Sequence, residues 1–249
     1  GSGTSIRQPY PAQCCPMAVL WVLIAVAALT LAAAIDRIRV PSYDINLDLP
    51  PKERWKEYVR LNRDVLAAQM EAWGENVDKA PLEKRNSWMG HHHFKPEHLE
   101  ELVGYHEALN DTRFKMHHVI SLQMVYAMST FHRCSGVAAA TANGTVVHGR
   151  NLDYGSNRLT LKDGREIGLV DMVEQVTFHK GGRPIVVSMS FAGYIGIHTG
   201  MRLVSPRLTF EQNTHYDNNE DENRAAAERG GIDFGLFARE LLEGSLAFP

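Results

Sequence analysis

The side chains best suited to chemistry lie in one segment that starts at Cys134. It reads Cys-Ser-Gly-Val-Ala-Ala-Ala-Thr-Ala-Asn-Gly-Thr-Val-Val-His-Gly-Arg-Asn-Leu-Asp-Tyr-Gly and ends at Gly155. Ser135–Thr141 and Thr145–His148 are short apolar runs joined by Ala142-Asn143-Gly144. Asn-Gly between two such runs signals a hairpin, because both turn positions call for positive φ. Pairing across that turn puts Cys134 at the start of one strand and brings Arg150 and Asp153 back towards it. A guanidinium beside a thiol favours the thiolate. A carboxylate nearby can hold a protonated amine by a charge-assisted hydrogen bond. Those are the parts of a cysteine nucleophile site. The residues alone also admit a plainer reading: a small hydrophobe at a strand start, with Arg150 and Asp153 as a local surface ion pair.

The flanking elements follow from periodicity. After a Pro-containing linker (Asp36 to Pro51), Trp55, Val59, Val65, Leu66, Met70, Trp73 and Val77 recur at helical spacing and predict a helix over 52–77. Pro96 opens a second helix to about Leu109, and a third is expected over 112–131 with Val119, Ile120, Gln123 and Tyr126 on its stripe. From Cys134 the pattern changes to strands, with two more expected at Leu169–His179 and Pro184–Phe191 around a Lys180-Gly181-Gly182-Arg183 turn. A polar stretch over 215–228 reads as loop, and an apolar helix follows near Phe234–Leu242. Helices, then hairpins, then a helix define an α+β chain.

Composition narrows the class. With 26 basic against 29 acidic residues and a net charge of −3, phosphate neutralisation and nucleic-acid binding are not expected. Of three cysteines, Cys14 and Cys15 sit in the N-terminal tail, so Cys134 stands alone in the body and no disulfide framework forms. Residues 1–16 read as an upstream tail or cloning remnant. The apolar run 17–34, ending Ala32-Ala33-Ala34, reads as a secretory signal, with a signal anchor as the alternative and palmitoylated Cys14-Cys15 only in that case. Either routes the body into the secretory pathway, to the lysosome or outside the cell, or to a membrane if anchored. The sequons at Asn110 and Asn143 fit that route as glycosylation sites. The expected division is a helical region over 35–133 and a second region over 134–249.

Cys134 followed by His148-Gly149-Arg150-Asn151-Leu152-Asp153-Tyr154-Gly155 resembles the acid ceramidase and N-acylethanolamine-hydrolysing acid amidase family. These are N-terminal-nucleophile hydrolases related to the choloylglycine hydrolases. Two further segments share the likeness: Phe191-Ala192-Gly193-Tyr194-Ile195-Gly196 with Thr199-Gly200, and Tyr43–Asp48 with Glu53-Arg54-Trp55. The resemblance implies an αββα sandwich and a precursor that cuts itself between Arg133 and Cys134 into a helical α chain and a β chain. It implies that Cys134 attacks an amide carbonyl to give a thioester that water hydrolyses. Arg150 would then position and polarise the thiol, and Asp153 would orient the new α-amine. The implied substrate is an N-acyl lipid, an N-acylethanolamine or a ceramide. The implied partners are the two chains themselves and a lipid-vesicle surface or activator, with no cofactor and no metal.

Three departures from the family pattern bear on activity. Ser135-Gly136 replaces the family's residues after the nucleophile. A family glutamate falls at Gln212, with Glu211 beside it as the possible supporting carboxylate. The family's oxyanion asparagine lies in a segment beyond residue 249, and Thr214-His215-Tyr216-Asp217 is too early to replace it. An oxyanion donor contributes about 2.7–4 kcal/mol, so the chain as given is expected to be incomplete and weak in catalysis. The alternative is an inactive or truncated relative that binds lipid or a partner without hydrolysis. His91-His92-His93 and His117-His118 are read as structural rather than metal-ligating.

Overall fold

The computed structural model describes residues 40–90, 94–128, 133–153, 158–213, 219–231 and 233–244. The tail, Cys14, Cys15 and the apolar run 17–34 lie outside these residues, as do His91–His93, Tyr154, Gly155 and 214–217. Among the described residues no helix is long and apolar enough to cross a membrane.

The sheet has five strands in the order β1-β6-β7-β8-β9. They are β1 (Ser42–Asn46), β6 (Val173–Lys180), β7 (Arg183–Phe191), β8 (Thr199–Arg202) and β9 (Leu208–Glu211). β1 runs parallel to β6, and the other neighbours are antiparallel. Two separate ribbons pair β2 (Arg133–Ala140) with β3 (Val146–Asp153), and β4 (Arg158–Thr160) with β5 (Glu166–Gly168). The α+β expectation holds. Among the described residues these ribbons do not join into a second continuous sheet facing the first.

The helices are α1 (Lys56–Leu61), α2 (Arg63–Asp78), α3 (Leu82–Trp88), α4 (Pro96–Leu109), α5 (Met116–Met128), α6 (Glu220–Glu228) and α7 (Phe234–Glu243). The helix expected over 52–77 is broken at Asn62, whose side chain donates to the Tyr58 carbonyl at 3.0 Å and accepts from the Tyr43 hydroxyl at 2.8 Å. A short polar side chain that bonds nearby groups competes with helical backbone pairing. The predicted stripe is otherwise the core: Trp55, Val59, Leu66 and Met70 are buried, while Val65, Trp73 and Val77 pack at its edge. Glu174, Val176 and Phe178 alternate as the buried face of β6, and Phe178 meets Trp55 edge-on at 6.1 Å.

Several expectations need correction. Residues 42–46, read as linker, form β1, because its partner β6 lies far along the chain and local pattern cannot reveal a parallel pair. Leu169–Met172 is a 3-10 turn held by the Asp171 carboxylate on the Gly168 amide at 2.8 Å, so the strand starts at Val173. The third helix starts at Met116 rather than 112. Part of the polar 215–228 stretch is helix α6, capped by Asn219, which accepts from the amides of Asp221 and Glu222. At Asn143-Gly144 only Gly144 has positive φ, +83°. Thr141 and Thr145 close a three-residue loop, which needs one left-handed residue at its end rather than two.

Two buried polar assemblies join the helices to the sheet. Arg239, fully buried, donates to both oxygens of Glu101 at 2.6 and 2.8 Å, to Glu243 at 2.6 Å and to the Ile195 carbonyl at 3.1 Å. Separately, the Tyr58 hydroxyl donates to Glu174 at 2.7 Å while accepting from the Gly193 amide at 2.6 Å. Burial pushes the Glu174 carboxyl up to about 7, against the lowering effect of the Tyr58 hydrogen bond. A carboxyl raised in the folded state stabilises most below its unfolded value and loses that contribution as pH rises through the folded one. Glu174→Gln is therefore expected to flatten the fall in melting temperature between mildly acidic and neutral pH, a difference on the order of 2–3 kcal/mol. Arg239→Met, which strands Glu101 without its main partner, is expected to cost about 3–5 kcal/mol in urea unfolding. The double variant Arg239→Met with Glu101→Leu should recover much of that loss.

Candidate active site

In the β2–β3 ribbon, Cys134 pairs with Leu152, Gly136 with Arg150 and Ala138 with His148. Directly opposed residues share a face and alternate residues return to it. One face therefore carries Cys134, Gly136, Leu152, Arg150 and His148, and its side chains at 134, 148, 150 and 152 are half-buried. The other carries Val137, Val147, Asn151 and Asp153, all exposed.

Arg150 is the organising side chain. Its Nη2 points at the Cys134 sulfur at 3.4 Å and also meets the Tyr126 hydroxyl at 3.5 Å. The same nitrogen donates to the Gln212 carbonyl. Nη1 donates to the His198 carbonyl at 3.1 Å and to the Thr199 hydroxyl. A planar guanidinium with a fixed fork of donors suits this multiple anchoring, and a lysine would not replace it.

Asp153 is not brought to the thiol. It stands opposite Arg133 in register, on the other face, and accepts from the Asn151 amide at 2.6 Å. Glu211 accepts from His148 Nε2 at 2.9 Å, and the Gln212 side chain instead meets His198 Nδ1 at 3.0 Å. Arg133 is the first residue of β2, so the Arg133–Cys134 bond lies within the strand. Asn110 caps the end of α4 with φ +46°, and Asn143 sits in the ribbon's loop; both are exposed.

Sequence reasoning missed Tyr126, His198 and Thr199 as supports of the site. His198 is buried and stacked between Tyr126 and Tyr194, at centroid distances of 3.9 and 4.2 Å. Tyr126 and His198 also line a small recess with Trp73, Leu122, Phe191 and Gln69. Its walls are largely apolar, and it adjoins the guanidinium through Tyr126. The Thr199-Gly200 pair was visible as motif, but nothing local says that its hydroxyl meets Arg150.

His117 and His118 direct their Nε2 atoms at the two oxygens of Asp78, at 2.8 and 2.9 Å. Three such donors could suit a cation. The backbone amide of Lys115, however, donates to His118 Nδ1 at 2.9 Å. That bond puts the neutral ring's proton on Nε2, which then donates to Asp78 and has no lone pair for a metal. Burial lowers the His117 pKa, with the bond to Asp78 opposing it. The cluster is an imidazole–carboxylate clamp between α2 and α5. Zinc added in moderate excess is accordingly expected to leave the melting temperature unchanged, whereas a concentration-dependent rise would identify a cation site.

With this geometry in view, the chain's relatives can be compared. Residues 38–71 match the family described as the beta subunit of N-acylethanolamine-hydrolyzing acid amidase. The chain is 27% identical over 64% of its length to an N-acylethanolamine-hydrolyzing acid amidase of Caenorhabditis elegans, covering 44% of that protein. It is 27% identical over 66% of its length to the acid ceramidase of Homo sapiens, covering 43% of it. The resemblance read from the motifs is thus matched by curated proteins of both kinds. The chain spans less than half the length of these relatives.

Proposed function

We propose that this chain carries the nucleophile of a cysteine N-acyl amide hydrolase of the acid amidase and acid ceramidase type. The observation that carries this reading is the Arg150 guanidinium 3.4 Å from the Cys134 sulfur, on a ribbon that begins beside the proposed cleavage bond. The precursor would cut itself between Arg133 and Cys134, freeing an α-amine next to the thiol. That amine takes the thiol proton as sulfur attacks the acyl carbonyl, and passes it to the departing amine of the substrate. Water then cleaves the thioester, releasing the fatty acid and restoring the thiol. Arg150 stabilises the sulfur's charge. In this reading Asp153, opposite Arg133 in register, would orient the new α-amine rather than the thiol.

The recess beside Tyr126 and His198 is apolar but small, so in this reading it would meet no more than a few methylenes of the acyl group of the substrate, an N-acylethanolamine or a ceramide. The reading includes an αββα sandwich in the whole protein, a secretory route through residues 17–34 to the lysosome or the extracellular space, and glycans at Asn110 and Asn143. A second reading, binding of lipid or a partner without hydrolysis, is favoured by the side chains of Glu211 and Gln212 being engaged with His148 and His198. The test is incubation at mildly acidic pH followed by N-terminal sequencing, with Cys134→Ala as control. A new N-terminus at Cys134, absent in the variant, together with fatty acid released from N-acylethanolamine or ceramide, is expected. Cleavage without fatty acid supports the second reading. Failure to cleave, also in a version extended at its C-terminus, overturns the first.

A further inference from the structure

The ribbon that carries Cys134 is attached to the body in an unusual way. Among the described residues none between 133 and 153 belongs to the buried apolar core. Its outward face leaves Val137 and Val147 exposed at 67% and 54%. Apolar burial therefore does little to fix where the ribbon sits. What fixes it is polar: Arg150 is anchored on His198, Thr199 and Tyr126, and two successive residues, Glu211 at the end of β9 and Gln212 after it, hold the ribbon at two further points. The Gln212 carbonyl takes the Arg150 guanidinium, and the Glu211 carboxylate takes His148.

The Glu211 contact is built rather than casual. One carboxylate oxygen accepts from His148 Nε2 at 2.9 Å, and the other from Asn213 Nδ2 at 2.9 Å. The His148 and Glu211 side chains are only 17% and 14% exposed, so water screens the pair weakly. The carboxylate also lies directly over Gly136. A Cβ at that position would stand 1.5 Å from one oxygen and 2.2 Å from the carboxyl carbon. Any side chain there would evict Glu211. Gly136, two residues past the nucleophile, thus has a defined steric task.

We propose that His148 and Glu211 are positioning residues: a latch laid across Gly136 that sets the ribbon's register over the sheet end and so holds Arg150 at the Cys134 sulfur. This rests on the Cys134–Arg150 pair but not on catalysis. Its readouts follow the ribbon's docking, so its failure is distinguishable from failure of the hydrolase reading. Amide exchange over 146–153 and the alkylation rate of Cys134, resolved by peptide mass spectrometry from Cys14 and Cys15, are measured on the full chain. Glu211→Ala and Gly136→Ala are expected to speed exchange across 146–153 about tenfold, with the melting temperature little changed. Glu211→Gln keeps an acceptor for His148 and should restore most of the protection. Arg150→Met is expected to alter Cys134 alkylation in the parent chain but not in the Glu211→Ala background, since the guanidinium has already left the sulfur. The latch is overturned if Glu211→Ala leaves exchange at the parent rate, if Glu211→Gln behaves like Glu211→Ala, or if the Arg150→Met effect is the same in both backgrounds. Should Gly136→Ala fail to fold, the Glu211 variants decide.

Discussion

Arg239 has to be satisfied before anything else in this structure can be. An arginine charge buried without a partner costs several kcal/mol, and here the donors are spread over Glu101, Glu243 and the Ile195 carbonyl. Glu101 in turn accepts from Trp55 Nε1 and from Arg54, both at 2.9 Å. Burial alone would raise the Glu101 carboxyl, but the Arg239 charge and the bonds from Arg239 and Arg54 bring it below its ordinary value. Four stretches are pinned at one point: the entry to α1, the inner face of α4, the connection between β7 and β8, and α7. The third matters most for the site, because Ile195 is followed within a few residues by His198 and Thr199, which anchor Arg150. The α5 residue Gln123 grips the same connection from the other side, donating to the Gly193 carbonyl and accepting from the Ile195 amide, both at 2.9 Å.

The buried ionisable groups outside this cluster pull stability in opposite directions with pH. Burial holds Glu174 at about 7 and Asp233 at about 6, against hydrogen bonds that lower both. Each contributes most in acid and loses its contribution as pH rises through those values. His98 is pushed down to about 4, chiefly by burial and next by the nearby Arg239 charge. Its contribution is present above its unfolded value and declines as pH falls towards 4. Each carboxyl is displaced by roughly as much as the imidazole, so two against one leaves a bias towards acid on the order of one group's few kcal/mol. That bias is a property of the packing between helices and sheet, because Glu174 and Tyr58 come from those two layers.

How much was legible in the sequence depended on the range of the deciding contact. The apolar stripe of α1 and α2, the start of α4 at Pro96 and the hairpin at Gly181-Gly182 are local, and each was readable from spacing or from residues that accept positive φ. Strands β1, β8 and β9 are only four or five residues long, so no periodic signal accumulates. The site divides in the same way. Cys134 and Arg150 share one ribbon, and the spacing brought them together. Tyr126, His198 and Thr199 come from other elements and converge only through tertiary packing. The near-miss is Asp153: ribbon pairing does bring it back beside the cysteine, but the period of two in a strand turns its side chain to the opposite face. Gly136, a departure from the family pattern when read alone, becomes intelligible only once Glu211 is seen above it.

The contrast between body and ribbon has a physical reason. Apolar burial is strong but non-directional, and it holds layers together without specifying an ångström of sliding between them. Hydrogen bonds contribute little net stability each, yet weaken steeply with distance and angle. A thiol that must meet one guanidinium nitrogen needs the second kind of constraint. Here the two are kept apart: Trp55, Phe178, Ile195 and their neighbours stabilise the body, while the Arg150 fork and the His148–Glu211 contact aim the ribbon. Substitutions in the first set should alter how long the fold survives, and substitutions in the second should alter where the sulfur sits. This separation lets Cys134 lie on a thin, largely exposed ribbon and still be held at a defined place.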